Sequence, residues 1–179
     1  MHVARRDLGT IGKVDGGMVA GSSLWADERI YHPLHVKPYT PAERLPKGKA
    51  DPAFRTKPQL AVELVAAARD AGFSFRAVVA DCFYGENATF EGALVAAGLP
   101  YVVALKPSSG IWAPADAVHT PEEAAQELRW GGPDDPGDWT PVVRRFRDGH
   151  EETWRAADLC YGPYGPDQAR RVVVATTDP

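Results

Sequence analysis

Short apolar runs alternate with helical stripes through the first 107 residues, and the spacing of the apolar positions predicts the elements. In "GGMVAGSSLWADERIYHPLHVKPY" two runs, Met18 to Leu24 and Arg29 to Val36, flank the polar "ADE". Their mixture of β-branched and aromatic residues predicts an antiparallel hairpin. The stretch "TPAERLPKGKADPAFRTKP" follows, rich in Pro, Lys and Arg and without periodicity, so it reads as a long exposed loop. From Pro58, residues Leu60, Leu64, Val65 and Ala68 recur on one face of a helix that runs to about Ala71 and stops at Gly72. "FRAVVA" then reads as a short buried strand halted by Asp81. A second helix is expected over Ala88 to Ala97, with Asn87 as N-cap, Phe90, Leu94 and Val95 inward, and Gly98 as its end. "PYVVALKP" is the next strand, stopped by Pro107.

Strand, helix, strand at this spacing is a βαβ unit with a parallel pair. With the preceding hairpin it predicts an α/β fold: one mixed sheet flanked by helices. Beyond Lys106 the texture changes. "SSGIWAPADAVH" reads as a linker, and Thr120 opens a short helix through a capping box with Glu123. "TPVVRRFRDGHEETWRAADL" predicts two strands about Asp148-Gly149, and "ARRVVVATTDP" a last strand. The expected division is therefore a core over 1–109 and a β-rich region over 110–179.

Composition changes this picture little. The chain has 179 residues, 44% hydrophobic and 25% charged, which is globular composition with no run long enough to span a membrane. No signal-like h-region is present, and Cys82 and Cys160 fit no metal or redox spacing, so reduced thiols in a cytoplasmic protein are expected. Charge is uneven. Residues 1–58 carry ten Lys or Arg against six acids, whereas residues 110–179 carry seven against thirteen. A basic leading segment suits a polyanion and an acidic trailing one does not. Uneven solvation of the surface explains the same counts.

The residue that calls for chemistry is Asp81. Functional groups of α/β sheets gather at the C-terminal ends of parallel strands, and a carboxylate there suits a hard cation such as Mg²⁺. The alternative is a strand-end side chain bonded to turn amides. One carboxylate cannot hold two metal ions about 3.5–4 Å apart for an in-line phosphoryl transfer, which takes two or three. Lys47, Lys49, Arg55 and Lys57 in the basic loop suit DNA phosphates, as does Lys106 at the end of the second strand. Solvated loop and snorkelling lysines are the plain alternatives. "HPLH" puts His32 and His35 on opposite faces of a strand, so a shared metal is not expected. "LPKGKADP" lacks the frame of a P-loop, and no Gly-x-Ser-x-Gly elbow is present. Trp112, Trp130, Trp139 and Trp154 suit either stacking on bases or packing of a small β region, and packing is the simpler account.

Four stretches in this order, "GTIGKVDGGMVAGSSLW", "FRTKPQLAVELVAAARDAG", "VVADCFYGENATFEGALVAAGLPYVVALKP" and "WTPVVRRFRDGHEETW", resemble DDE-type insertion-sequence transposases, the DDE superfamily endonucleases. The most specific part is Val79 to Gly85, "V-x-A-D-x-x-Y-G", where Asp81 matches the second acidic residue of the family's triad. The resemblance implies an RNase H-like core with a β-rich insertion. It implies carboxylates that bind Mg²⁺ or Mn²⁺ and activate water, or a DNA 3′-hydroxyl, for attack on a phosphodiester. DNA is then the partner, with full-length transposase or a second copy of the chain as another.

Two departures shape the expectation. No apolar strand ending in Asp precedes Gly16; Asp7 sits in the basic "ARRDLG", and neither Asp15 nor Glu86 matches a triad position. No Y-x-x-R-x-x-x-E pattern occurs after Gly110. The chain therefore reads as an internal fragment whose first core strand is missing and which stops before the final core helix. Asp81 is expected to be a metal ligand without its partners, and the chain alone inactive in cleavage and strand transfer. A truncated DNA-binding or transposase-pairing module is the alternative.

Overall fold

The structure, a computed structural model, describes residues 4–8, 13–27, 29–108, 120–159 and 170–179. Trp112, Cys160 and most of the expected linker lie outside the described residues. The chain divides into two compact units, residues 1–104 and 105–179.

The first unit begins with a hairpin that the hydrophobic pattern does not show. Strand β1 (Ala4–Leu8) pairs antiparallel with β2 (Lys13–Gly17), Asp7 opposite Val14. Asp7 thus lies on a strand, where the sequence reading had none; the pairing of two polar segments close in sequence overrides their weak intrinsic preference. The expected second hairpin is present as β3 (Ala20–Ala26) and β4 (Tyr31–Pro38).

Helix α1 (Lys57–Asp70) packs beneath it. Its start is fixed by a full capping box: the Gln59 amide donates to Thr56 Oγ1 at 3.3 Å and the Thr56 amide donates to Gln59 Oε1 at 2.8 Å. Pro58, Leu60, Leu64 and Ala68 are buried along one stripe. Gly21 of β3 allows this approach, since a Cβ there would sit 3.2 Å from Leu64 Cδ1. Gly72, at φ 82°, ends the helix in the left-handed region.

Strand β5 (Val78–Ala80), the single turn α2 (Cys82–Gly85), helix α3 (Ala88–Ala96) and strand β6 (Tyr101–Val103) complete the unit. β5 and β6 are parallel, Val78 opposite Tyr101 and Ala80 opposite Val103, as the βαβ spacing requires. Asn87 Oδ1 caps α3 by accepting from the Phe90 amide at 3.0 Å. Phe90 and Leu94, one turn apart, are each only 1% exposed and anchor α3 against the core. Val95, expected inward, is exposed because it falls about 100° around the helix from Leu94.

Two expectations fail here for one reason. The single mixed sheet is not formed: among the described residues β3–β4 and β5–β6 are separate two-stranded ladders. "FRAVVA" is accordingly not buried. Its middle residue Val79 is 76% exposed, and its neighbour on β6, Val102, is 62% exposed. Among the described residues no element covers the face that carries Val79 and Val102.

In the second unit Thr120 and Glu123 form the expected capping box at α4 (Pro121–Gln126). Strands β7 (Thr140–Arg145), β8 (Glu151–Leu159) and β9 (Val172–Thr176) make an antiparallel sheet in that order, with β8 central. Among the described residues Ala124, Trp139, Ala157 and Leu159 are buried there, so Trp139 serves packing. Trp154 donates from Nε1 to Glu152 Oε2 at 2.9 Å, and Arg155 lies over Trp130. No helix among the described residues is long and apolar enough to cross a membrane.

Candidate functional site

Asp81 stands where β5 ends, and its own side chain ends it. Oδ1 accepts from the Phe83 amide at 3.0 Å, which turns the chain from extended backbone into α2. The carboxylate is exposed. The next residues explain the spacing of "D-x-x-Y-G". Tyr84 reaches back onto Phe90, ring centroids 5.1 Å apart, and meets Phe83 edge to face at 5.2 Å. Burial pushes the Tyr84 hydroxyl above its ordinary pKa, and the negative charge of Asp81 adds to the shift. Gly85 is buried against the chain leaving β6, and any Cβ at that position would collide with the Ala104 carbonyl oxygen. The stretch is thus a fixed corner that holds one carboxylate out at a strand end.

Beside this corner runs a groove of about 310 Å³ between β3 and β5. Ser22, Leu24 and Ala26 line one side, Val79 and Asp81 the other, and Leu64 lies among its remaining lining. The Trp25 indole spans from β3 to the chain approaching β5, donating from Nε1 to the Ser74 carbonyl at 2.8 Å.

The basic residues do not gather at one place. Lys47 and Lys49 are exposed on short 3-10 turns, Lys49 within Gly48–Ala50. Arg55 donates from Nε to Glu63 Oε1 at 2.8 Å, and Lys37 donates to Glu63 Oε2 at 2.7 Å. These two cations hold the Glu63 carboxyl below its ordinary pKa, Lys37 contributing more. Arg55 therefore braces α1 through Glu63, a partner that its place in an apparently free loop does not reveal. Lys57 belongs to α1 rather than to the loop, with its ammonium 5.2 Å from the Phe83 ring centre. Among the proposed DNA contacts it is the one set next to the Asp81 corner. Lys106 is exposed but lies three residues beyond the end of β6 at Val103, in the second unit, so it does not close the strand as expected.

The histidines depart from expectation too. A bulge between the Ser23 and Leu24 registers puts His35 opposite Ser23 and His32 opposite Trp25. Ser23 and Trp25 share a face, so both histidines lie on that face: the extra residue, Leu34, reverses the parity that the i, i+3 spacing implied. His35 Nδ1 meets Ser23 Oγ at 3.5 Å, and His32 packs by Trp25.

Among the described residues no three His, Cys, Asp or Glu side chains come together as a metal site. Asp81 alone, with one oxygen engaged by an amide, does not make the oxygen set that Mg²⁺ or a metal pair requires.

The sequence matches the DDE superfamily endonucleases over residues 1–166. It is 32% identical, over 130 residues, to a protein named probable transposase for insertion sequence element IS701 from Microchaete diplosiphon. That match covers 72% of this chain and 32% of the relative, so the chain spans about a third of the length of the curated relative it matches. No solved structure matches the chain. By the extent of the family match, the chain belongs to the DDE superfamily endonucleases.

Proposed function

We propose that this chain is a portion of an insertion-sequence transposase, an enzyme that cleaves and joins DNA, and that Asp81 is one carboxylate of its metal-binding set. The observation that carries the reading is an exposed carboxylate at the end of a parallel strand, held by a rigid corner and opening onto the groove between β3 and β5. The first unit is read as an incomplete RNase H-like core lacking its first strand, residues 110–179 as its β-rich insertion. The remaining acidic ligands of the set, for Mg²⁺ or Mn²⁺, are supplied by sequence beyond the matched third of the relative. Lys57 beside the corner, and Lys47 and Lys49 in the exposed turns, contact the DNA backbone without reading its sequence.

On this reading the purified chain holds no metal pair and does not nick supercoiled plasmid in Mg²⁺ or Mn²⁺. Metal-dependent nicking by the chain that disappears in Asp81→Ala would contradict the claim that its site is incomplete. A second role, DNA binding without catalysis, rests on the exposure of Lys47 and Lys49. Mobility shifts are then expected at low salt, weakening steeply as salt rises and in Lys47→Ala/Lys49→Ala. No shift at low salt would rule that role out.

A further inference from the structure

Between β4 and α1 the chain runs from Tyr39 to Thr56 without a strand or an α-helix. A connection of this length is either loose or put to use. Here it is a succession of closed turns. The Arg44 amide donates to the Pro41 carbonyl at 2.9 Å, Gly48 to Leu45 at 3.0 Å, Ala50 to Lys47 at 3.0 Å, and Phe54 to Asp51 at 2.9 Å. The Asp51 carboxylate is turned onto the same backbone, accepting from the amides of Lys47 at 3.3 Å and Ala53 at 2.9 Å. Pro41, at the head of the loop, is among the most fully buried residues.

The two ends of the loop are tied together by one carboxylate. Arg55, near its end, donates from Nη1 to the carbonyls of Pro52 and Phe54 at 2.8 Å each and from Nε to Glu63 Oε1 at 2.8 Å. Lys37, on the strand that enters the loop, donates to Glu63 Oε2 at 2.7 Å. The fold therefore sorts the cations. Lys37 and Arg55 are engaged by Glu63, whereas Arg44, Lys47 and Lys49 are exposed on the turns between. Among the described residues no ion pair or ring contact engages those three side chains. Of the two acids on the same turns, Asp51 faces the backbone and Glu43 is left to solvent. An exposed stretch with little apolar cover gains little by being ordered. Three unengaged cations on a hydrogen-bonded frame are what a row of phosphates matches without first ordering the loop.

We propose that residues 41–56 are a preformed surface for the DNA backbone, that Arg44 is a contact on it beside Lys47 and Lys49, and that Glu63 is the positioning residue that holds it in shape. That the partner is DNA rests on the reading above; the bracing by Glu63 does not.

Glu63 separates this arrangement from charge alone. Glu63→Gln removes a negative charge and releases two cations, so charge alone makes DNA binding tighter. Glu63→Asp keeps the charge but is one methylene too short to hold both partners as Glu63 does, so charge alone leaves binding unchanged. The purified chain is titrated into a labelled duplex of mixed sequence, and fluorescence anisotropy is followed as salt is raised. Both variants are expected to weaken binding by about eightfold at about 0.1 M salt, the loss of one phosphate contact at a counterion-release slope of about 0.9 per contact. Both should also flatten the salt slope by about 1, as should Arg44→Ala with Glu63 intact. Circular dichroism verifies that each variant folds, and amide exchange in the Glu63 variants should quicken at Gly48 and Ala50 but not at Leu64 of α1. Unchanged or tighter binding by either folded Glu63 variant would overturn the positioning role and leave DNA binding standing. An unchanged salt slope in Arg44→Ala would remove Arg44 from the surface. No binding by the wild type at low salt would overturn the DNA reading and this surface with it.

Discussion

Val79 and Leu159 are both apolar residues on short strands, yet one is 76% and the other 3% exposed. Leu159 belongs to β8, which is paired on both edges and in which Ala157 is buried as well. Its sheet also has ion pairs between neighbouring strands, Arg145 Nε donating to Glu151 at 2.7 Å and Arg171 pairing with Asp158 near β9. Val79 belongs to a strand paired on one edge and covered on one face. The difference is that burial is a property of neighbours. An apolar run states a demand for cover, which β8 meets as the central strand and β5 does not, while Val142, Val143 and Val173 on the outer strands β7 and β9 stay exposed as Val79 does. The unmet demand in the first unit coincides with the corner that carries Asp81.

Substitutions sharpen this contrast, beginning where the effect is largest. Phe90→Ala removes the ring on which α3 and Tyr84 both rest and should cost about 3–5 kcal/mol in denaturant titration. Leu159→Ala should cost about 2–5 kcal/mol, read from the second unit's own transition. Loss of the α1 cap in Thr56→Ala should cost about 1 kcal/mol, and an unchanged midpoint would mean that tertiary packing alone sets the helix start. Val79→Thr should change the stability of the chain alone by less than about 0.5 kcal/mol, since the side chain is already in water. A cost like that of Leu159→Ala would show that Val79 is covered in solution and break the comparison.

Acid should act through Glu63. Its folded pKa lies below the unfolded one, so its ion pairs stabilise the fold above the ordinary carboxylate range and lose that contribution as pH falls through the folded pKa. The stability difference between the wild type and Glu63→Gln should therefore shrink from neutral pH towards acid. A constant difference would assign the effect to packing instead.

Much of this was legible in the residues. Thr56-Lys-Pro-Gln59 and Thr120-Pro-Glu-Glu123 spell capping boxes, and Asn87, Gly72 and Gly98 mark helix ends by local chemistry alone. Asp81 was legible as a strand-end carboxylate, and the structure shows it capping α2. What was not legible depended on distant partners. The exposure of Val79, the Glu63 clasp on Arg55, and the bulge that brings His32 and His35 to one face are set by other segments. Tyr84 and Gly85 were visible only as a motif; their reason, a ring on Phe90 and a close approach to Ala104, lies in the fold.

The most direct measurement is metal-dependent nicking by a chimera in which residues of this chain replace the matched stretch of the IS701 relative. The account predicts that the chimera nicks DNA carrying the element's ends and that Asp81→Asn, which keeps the shape of the cap, abolishes nicking while the protein stays folded. A chimera that cleaves equally well with Asn at position 81 would contradict it, and Asp81 would then be the cap of α2 and nothing more.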